Sequence, residues 1–306
     1  MALKISEKTK DITSLTSANY WLGYAFSLNC QFDEALHYIQ NTLNSQVAMN
    51  NVTWIAVMKS LMSYLGYYQR GAIDLAYNTS REAIPVAEES GEKYAKVFAY
   101  SCHGLSCYGK GFLQEAERNL LLGNHANERL NQFYCKVGCH RSLGDVYCEM
   151  GDYNRAKYHY EMAIEFLREK RVYPSWLNLN SIALAKAKVL SQDRDINLEQ
   201  LYTYISENRV KMFEGHMKRL LAEILMKIRE DSIPEAEIWI QKAIEDDQRN
   251  GMMLHLGKDY ALYAELFKRK GDKLKAHENF GKAIEILKEC GADGWVEKYE
   301  KEMFIL

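Results

Sequence analysis

The chain has 306 residues, 47% of them hydrophobic, with only three prolines (Pro85, Pro174 and Pro234) and no alternating runs of Val and Ile, a composition that favours an all-helical fold over a β-rich one. Thirty-nine basic against forty-one acidic residues leave a formal net charge of -2, with no single-sign field to suggest nucleic acid or an anionic membrane. Seven irregularly spaced cysteines fit a reducing compartment better than a disulfide framework, and no apolar run approaches the roughly 20 residues of a spanning helix. Met1 to Thr16 lacks the apolar centre of a secretory signal, so a cytosolic location is expected.

A small residue recurs early in alternate helices. Ala35, Ala76, Ala116, Ala156, Ala236 and Ala276 fall at intervals of 40 or 41 residues, with one interval of 80. Seven residues beyond each stands Thr42, Ala83, Gly123, Ala163, Ala243 or Ala283, and between them come Ile39, Ser80, Leu120, Tyr160, Ile240 and Phe280. Residues three and four apart share a helix face, so small residues that permit close approach alternate with larger ones that fill the gap. Twelve residues before each alanine, on a preceding helix, stand Gly23, Tyr64, Gly104, Gly144, Ile224 and Ala264. Asn29 to Gln31, Arg70-Gly71, Lys110-Gly111, Gly151-Asp152 and Gly271-Asp272 mark the turn within each pair. Pro234 falls in the first turn of a second helix, where its missing N–H does no harm.

The copy hidden in the long interval lies between Tyr173 and Arg209. Pro174 starts a long helix to about Leu190, Ser191 to Asp195 form a polar loop, and Leu198 to Ile205 make a shortened second helix. An irregular fifth repeat near 174–208, with a local change of superhelical pitch or a hinge, is expected. Ala2-Leu3-Lys4-Ile5 falls where the tail of an earlier second helix belongs, as in an excised piece of a longer protein. Asp293 to Leu306 reads as a capping helix, with Trp295, Tyr299 and Phe304 to cover the last repeat. The expected architecture is all-α, with about seven helical hairpins of about 40 residues over 1–292 and a C-terminal cap over 293–306.

The clearest copy carries Leu143, Gly144, Tyr147, Gly151, Tyr153, Ala156, Tyr160 and Ala163. It resembles the tetratricopeptide pattern, and Gly104, Gly111, Ala116, Tyr263, Phe267, Gly271, Ala276, Phe280 and Ala283 hold related places elsewhere. The resemblance covers essentially the whole chain and implies a right-handed α-α superhelix, a TPR-like solenoid. The repeats are longer than the usual one of about 34 residues, as in sensory or regulatory modules of signalling proteins. The segments Pro174 to Lys188, Gly251 to Leu266 and Glu289 to Lys301 further resemble the C-terminal parts of large bacterial signalling proteins. Those join a class III adenylate/guanylate cyclase domain, an AAA-type ATPase domain and a tetratricopeptide array. The implied role is sensing or partner binding on behalf of catalytic domains.

Candidate chemistry is sparse. Gly104 to Lys110 matches G-x-x-x-x-G-K, but Gly111 stands where a phosphate loop needs Ser or Thr, and no strand precedes it. Cys135, Cys139, His140 and Cys148 invite a zinc reading, but His140 faces away from the cysteine pair and no C-x-x-C occurs, so core packing is favoured. His277-Glu278 lacks the second histidine of H-E-x-x-H, Asp193-Arg194-Asp195 reads as a solvated loop, and there is no G-x-S-x-G. No enzymatic activity, cofactor or metal is expected.

In arrays of this kind the first helices line the inner surface. The inward positions of the first three repeats are Tyr20, Trp21, Tyr24, Met58, Leu61, Met62, Leu65, Tyr68, Phe98, Leu105 and Tyr108, an apolar and aromatic set that suggests a groove for an amphipathic helix or extended peptide. Later repeats offer Arg141, Asp145, Glu149, Lys218, Arg229, Lys258, Glu265, Lys268 and Arg269, a mixed face usually just solvated. Arg141 and Asp145, beside the clearest copy, complete the expected partner-binding set. The Lys and Asn pairs of a chaperone-tail clamp are absent from the matching positions. The expected function is a non-enzymatic protein- or peptide-binding scaffold whose ligand alters superhelical curvature. Its partners would include catalytic domains of a parent protein, but not nucleic acid or membrane. A self-association module that makes a homodimer of its parent is the alternative, and a small-molecule or nucleotide sensor the third reading.

Overall fold

A computed structural model describes residues 12–128, 130, 132–171, 173–193 and 195–306. The described helices follow one another in pairs: α1 (Ile12–Leu28) with α2 (Phe32–Ala48), α3 (Val52–Leu61) with α4 (Ile73–Ser90), and α5 (Lys93–Lys110) with α6 (Leu113–Asn127). Next come α7 (Phe133–Glu149) with α8 (Tyr153–Lys170), α9 (Pro174–Leu190) with α10 (Leu198–Ser206), and α11 (Glu214–Ile228) with α12 (Ile233–Arg249). The seventh pair is α13 (Met253–Arg269) with α14 (Lys273–Cys290), and α15 (Asp293–Phe304) ends the chain. This is the all-helical, tetratricopeptide-type solenoid expected from the spacing. The expected helix tail at Ala2 to Ile5 lies outside the described residues.

The periodic small residues set the packing distance. Ala35, Ala76, Ala116, Ala156, Ala236 and Ala276 are fully buried. A Cβ on Gly104 would lie 2.6 Å from Leu120 Cγ, so the α5–α6 approach requires glycine. In the fifth pair α10 has only nine residues, and α9 packs directly on α11. Between α3 and its turn, Met62–Tyr68 is π-helical, a widening that the periodicity does not announce.

The array winds until its end meets its beginning. A Cβ on Gly111, whose φ is +81°, would lie 2.7 Å from the Gly294 carbonyl carbon, so two backbones touch where the α5–α6 turn meets the start of α15. Lys110 Nζ donates to Gly291 O at 2.7 Å and to the carboxylates of Asp74 and Asp293. Trp295 Nε1 donates to Tyr108 O at 2.8 Å, and its ring meets the Tyr108 ring edge-on at 5.6 Å. One repeat earlier, Gly71 abuts Met253 and Cys290, and α1 touches the short 3-10 turn Lys211–Phe213. Tyr68, Ile73 and Ala76 of the second repeat thus share a core with Leu254, Phe280, Trp295 and Tyr299.

The cap behaves differently from expectation. Trp295 and Tyr299 are buried, but Phe304 is 90% exposed in the last turn of α15 and covers nothing. Rather than merely shielding the last repeat, α15 also reaches across to α5. Trp295→Ala is therefore expected to lower stability by about 3–5 kcal/mol. Phe304→Ala should change it by no more than about 0.5 kcal/mol, both measured by equilibrium denaturation. Equal effects of the two would contradict this assignment.

Candidate functional site

Closing the superhelix turns its inner face into a channel walled by first helices. One section is an apolar chamber of about 160 Å³ lined chiefly from α1, α3, α5, α7, α9, α11 and α13. That volume is close to the cavity of about 150 Å³ known to hold benzene, so it admits one ring-sized group rather than a helix about 10 Å across. Of the residues expected to face inward, Tyr20, Tyr24, Leu61, Leu65, Tyr68, Phe98, Leu105, Tyr108, Arg141 and Asp145 all border this chamber.

Three do not. Trp21 is 45% exposed and packs edge-on against Tyr134 at 5.8 Å. Met58 and Met62 are buried among Ile39, Leu43 and Ala83, within the packing of the first repeats. Leu61, Tyr64, Leu65 and Tyr68 share the channel side at helical spacing, while the two methionines fall on the packing side. Tyr64 had been read only as a packing position. Tyr173 and Trp176 open α9, the helix of the irregular repeat, and were missed because no register could be carried into that copy. His216 and Arg219 on α11 and His255 on α13 were missed as well. Their signal was available, since both histidines sit in first helices.

The second section, about 450 Å³, is lined by Glu149, Lys186, Glu223, Glu265, Lys268, Lys298 and Glu302, and shares Tyr108, Asp145, His216, Arg219 and Lys258 with the chamber. The expectation of a solvated charged face needs correction here. Arg141 is 6% exposed and Lys258 8%, because first helices from opposite sides of the ring cover one another. Lys218, Arg229 and Arg269 stay outside the channel, paired with Asp246, Asp231 and Glu230.

The buried cations differ in how fully they are satisfied. Arg219 donates from Nη1 to Asp259 Oδ1 at 2.8 Å and from Nη2 to His255 Nδ1 at 3.0 Å. Arg141 donates from Nε to Asp145 Oδ2 at 3.2 Å and from Nη2 to His216 Nε2 at 3.4 Å, and its Nη1 has no hydrogen-bond partner among the described residues. Burial and the Arg219 guanidinium push His216 and His255 well below the ordinary imidazole range, which leaves both neutral and able to accept.

The glycine-rich stretch Gly104 to Gly111 holds no phosphate site, since Lys110 is occupied in closing the ring. The cysteines first weighed as zinc ligands do not converge. Cys139 Sγ meets Ser101 Oγ at 3.0 Å, whereas His140 turns to His159, Nδ1 to Nδ1 at 3.0 Å.

Lys258 is the channel's other exceptional cation. Its Nζ donates to Tyr108 Oη at 3.0 Å and lies 3.6 Å from the centre of the Trp295 ring, with no ion pair among the described residues. Burial, opposed by Glu149 and reinforced by Arg219 and Lys298, draws its pKa down to about 7. Above that pH the folded chain releases a proton that the unfolded chain keeps to about pH 10, so this group makes stability rise with pH in that window by up to about 1.4 kcal/mol per unit. The unfolding free energy of the wild type minus that of Lys258→Met is expected to increase between about pH 7.5 and pH 9. A difference independent of pH would contradict the burial of this charge.

No protein-family model matches the sequence, and no curated protein is similar to it. Solved structures share the fold. The apo form of RapI superposes with a TM-score of 0.64 at 14% identity, covering 89% of this chain and 97% of that one. The Rap conjugation gene regulator of plasmid pLS20, in complex with its Phr peptide, gives 0.66 at 15% identity over 93% and 77%. A signal transduction ATPase with numerous domains and a tetratricopeptide repeat sensor, from Pyrococcus horikoshii, gives 0.52 at 14% over 98% of this chain and 47% of that one. Among the described residues no helix is long and apolar enough to cross a membrane. The fold is thus a tetratricopeptide-type solenoid of the kind also built by Rap proteins and by an ATPase sensor region.

Proposed function

We propose that this chain is a non-catalytic sensor module whose channel takes a short peptide, with one apolar side chain in the aromatic chamber and a carboxylate at Arg141. The observation that carries this reading is the Nη1 of Arg141, without a hydrogen-bond partner among the described residues, a buried charged donor at the wall of an apolar chamber. Leaving such a donor without an acceptor costs about 1–3 kcal/mol or more, a cost that an anionic ligand would remove. The alternation of an apolar and a charged section along one channel suits a peptide better than a uniformly apolar molecule. A peptide complex of a plasmid regulator with this fold supports the same reading.

Binding would be read out through the ring closure. Tyr108 borders the chamber and is also the residue that Trp295 and Lys258 hold. A ligand that displaces Tyr108 would loosen α15 from α5. The resemblance of Glu289 to Lys301 to the ends of cyclase–ATPase signalling proteins supports placing this module in such a parent, since that segment contains Gly291, Asp293, Gly294 and Trp295, the residues of the closure.

Affinity selection with a pool of random pentapeptides bearing free C-termini tests the proposal. Wild type is expected to retain a defined subset, and Tyr24→Ala and Arg141→Gln to weaken retention at least about tenfold, the loss of one charge-assisted hydrogen bond. Equal retention by folded variants would refute the site. Self-association remains the second reading, favoured by Leu274, Phe304 and Ile305, which are 73%, 90% and 70% exposed. Light scattering would then show a dimer that Phe304→Glu abolishes, and a monomer at all concentrations would remove this reading.

A further inference from the structure

On the face of α5 turned away from the channel, three residues converge that neither packing nor ring closure explains. His103 and Cys107 are one helical turn apart, and Glu115 stands in the first turn of α6. The imidazole nitrogen, the sulfur and a carboxylate oxygen lie within 4.8 Å of one another. His103 is 3% exposed and Cys107 fully buried, while the Glu115 side chain is 29% exposed and gives the cluster a path to solvent.

Ser80 and Glu115 flank the two ring nitrogens of His103. Ser80 Oγ donates to Tyr77 O at 3.0 Å, so its lone pairs are what it offers to His103 Nδ1, also at 3.0 Å. With its proton on Nδ1, toward Ser80, the imidazole presents a bare Nε2, the tautomer that binds a metal through that nitrogen. That nitrogen faces Glu115 Oε1 at 3.5 Å. The Cys107 thiol borders the same gap and interacts with the Glu115 carboxylate by hydrogen bonding. Glu115 has no lysine or arginine at ion-pair distance among the described residues; its oxygens accept from Tyr77 Oη, each at 3.3 Å. Three groups of different chemistry, each able to ligate a metal, thus face one another.

We infer that His103, Cys107 and Glu115 form a zinc site. A nitrogen, a thiolate and a carboxylate are the three ligand types zinc accepts, and three protein ligands leave a fourth position for water. A helical i, i+4 pair closed by a residue on the next helix puts the ligands on two faces that already touch. The surroundings match what a metal-bound histidine requires: Ser80 holds the Nδ1 proton and so orients Nε2, and Tyr77 steadies the carboxylate. On binding, the thiol loses its proton to solvent and the sulfur–zinc bond replaces the sulfur–hydrogen bond. The ion would tie α5 to α6, with α4 as its support, and α5 is the helix whose other face carries Phe98, Leu105 and Tyr108 into the chamber. This inference is independent of the peptide reading.

The full chain, stripped with a chelator, is titrated with cobalt and then zinc. The expected result is one equivalent of cobalt in a tetrahedral spectrum with a thiolate charge-transfer band, displaced by zinc, together with a rise in melting temperature on zinc addition. Cys107→Ser should abolish the charge-transfer band and Cys30→Ser should leave it intact. His103→Gln and the more exposed Glu115→Gln should weaken zinc binding by more than about tenfold, and Ser80→Ala by about 10- to 100-fold. Absence of micromolar binding by wild type overturns the inference. So does binding without the thiolate band, or binding that Glu115→Gln, checked as folded by circular dichroism, leaves unchanged.

Discussion

The contact between the Gly111 and Gly294 backbones is the constraint on which the rest of the structure depends. A solenoid stacks repeats that touch only their neighbours, and its shape follows from a small rotation repeated at each step. Here the rotation brings the last helix against the third repeat, and both chains are glycine where they meet, so no side chain holds them apart. The Lys110 ammonium and the Trp295 indole then fasten the seam. A quasi-linear array thereby acquires long-range contacts, such as that between Lys258 and Tyr108, which otherwise belong to globular domains.

Closure also accounts for the unusual charges. An inner surface open to water can carry arginine and lysine at little cost, but one folded upon itself buries them, and burial of a charge demands a partner. Arg219 finds Asp259, and Glu149, although burial alone would raise its pKa, is brought to about 2 by Lys298, Lys258 and Lys186. Arg141 and Lys258 are the members of this network left short of acceptors. They mark the boundary between the apolar and the charged sections, where a bound group would be both sheltered and held.

Much of the fold was legible because packing in each repeat is local. Ala156, Tyr160 and Ala163 report their own burial through spacing alone, and the same spacing placed Tyr20, Tyr24 and Leu65 on the inner face. What spacing cannot carry is the sum of many small rotations, so Gly111 reads as a turn residue, Gly294 as part of a capping helix and Lys110 as half of a phosphate loop. Whether Arg141 is solvated depends on α11, which follows it by some seventy residues. Met58 and Met62 fall on the packing side among Ile39, Leu43 and Ala83, a placement missed because spacing alone does not say how far each first helix is rotated about its axis. His103, Cys107 and Glu115 were passed over because each taken singly is an ordinary helix residue, and their meeting depends on the α5–α6 crossing.

Small-angle X-ray scattering of the full chain tests the closed ring most directly. A closed chain of this length is expected to have a radius of gyration of about 20 Å, the value of a compact domain. Gly294→Val, which places two methyl groups where the Gly111 backbone lies, should expand it. A wild-type profile already extended beyond that value, and unchanged in the variant, would contradict the closure and with it the buried channel.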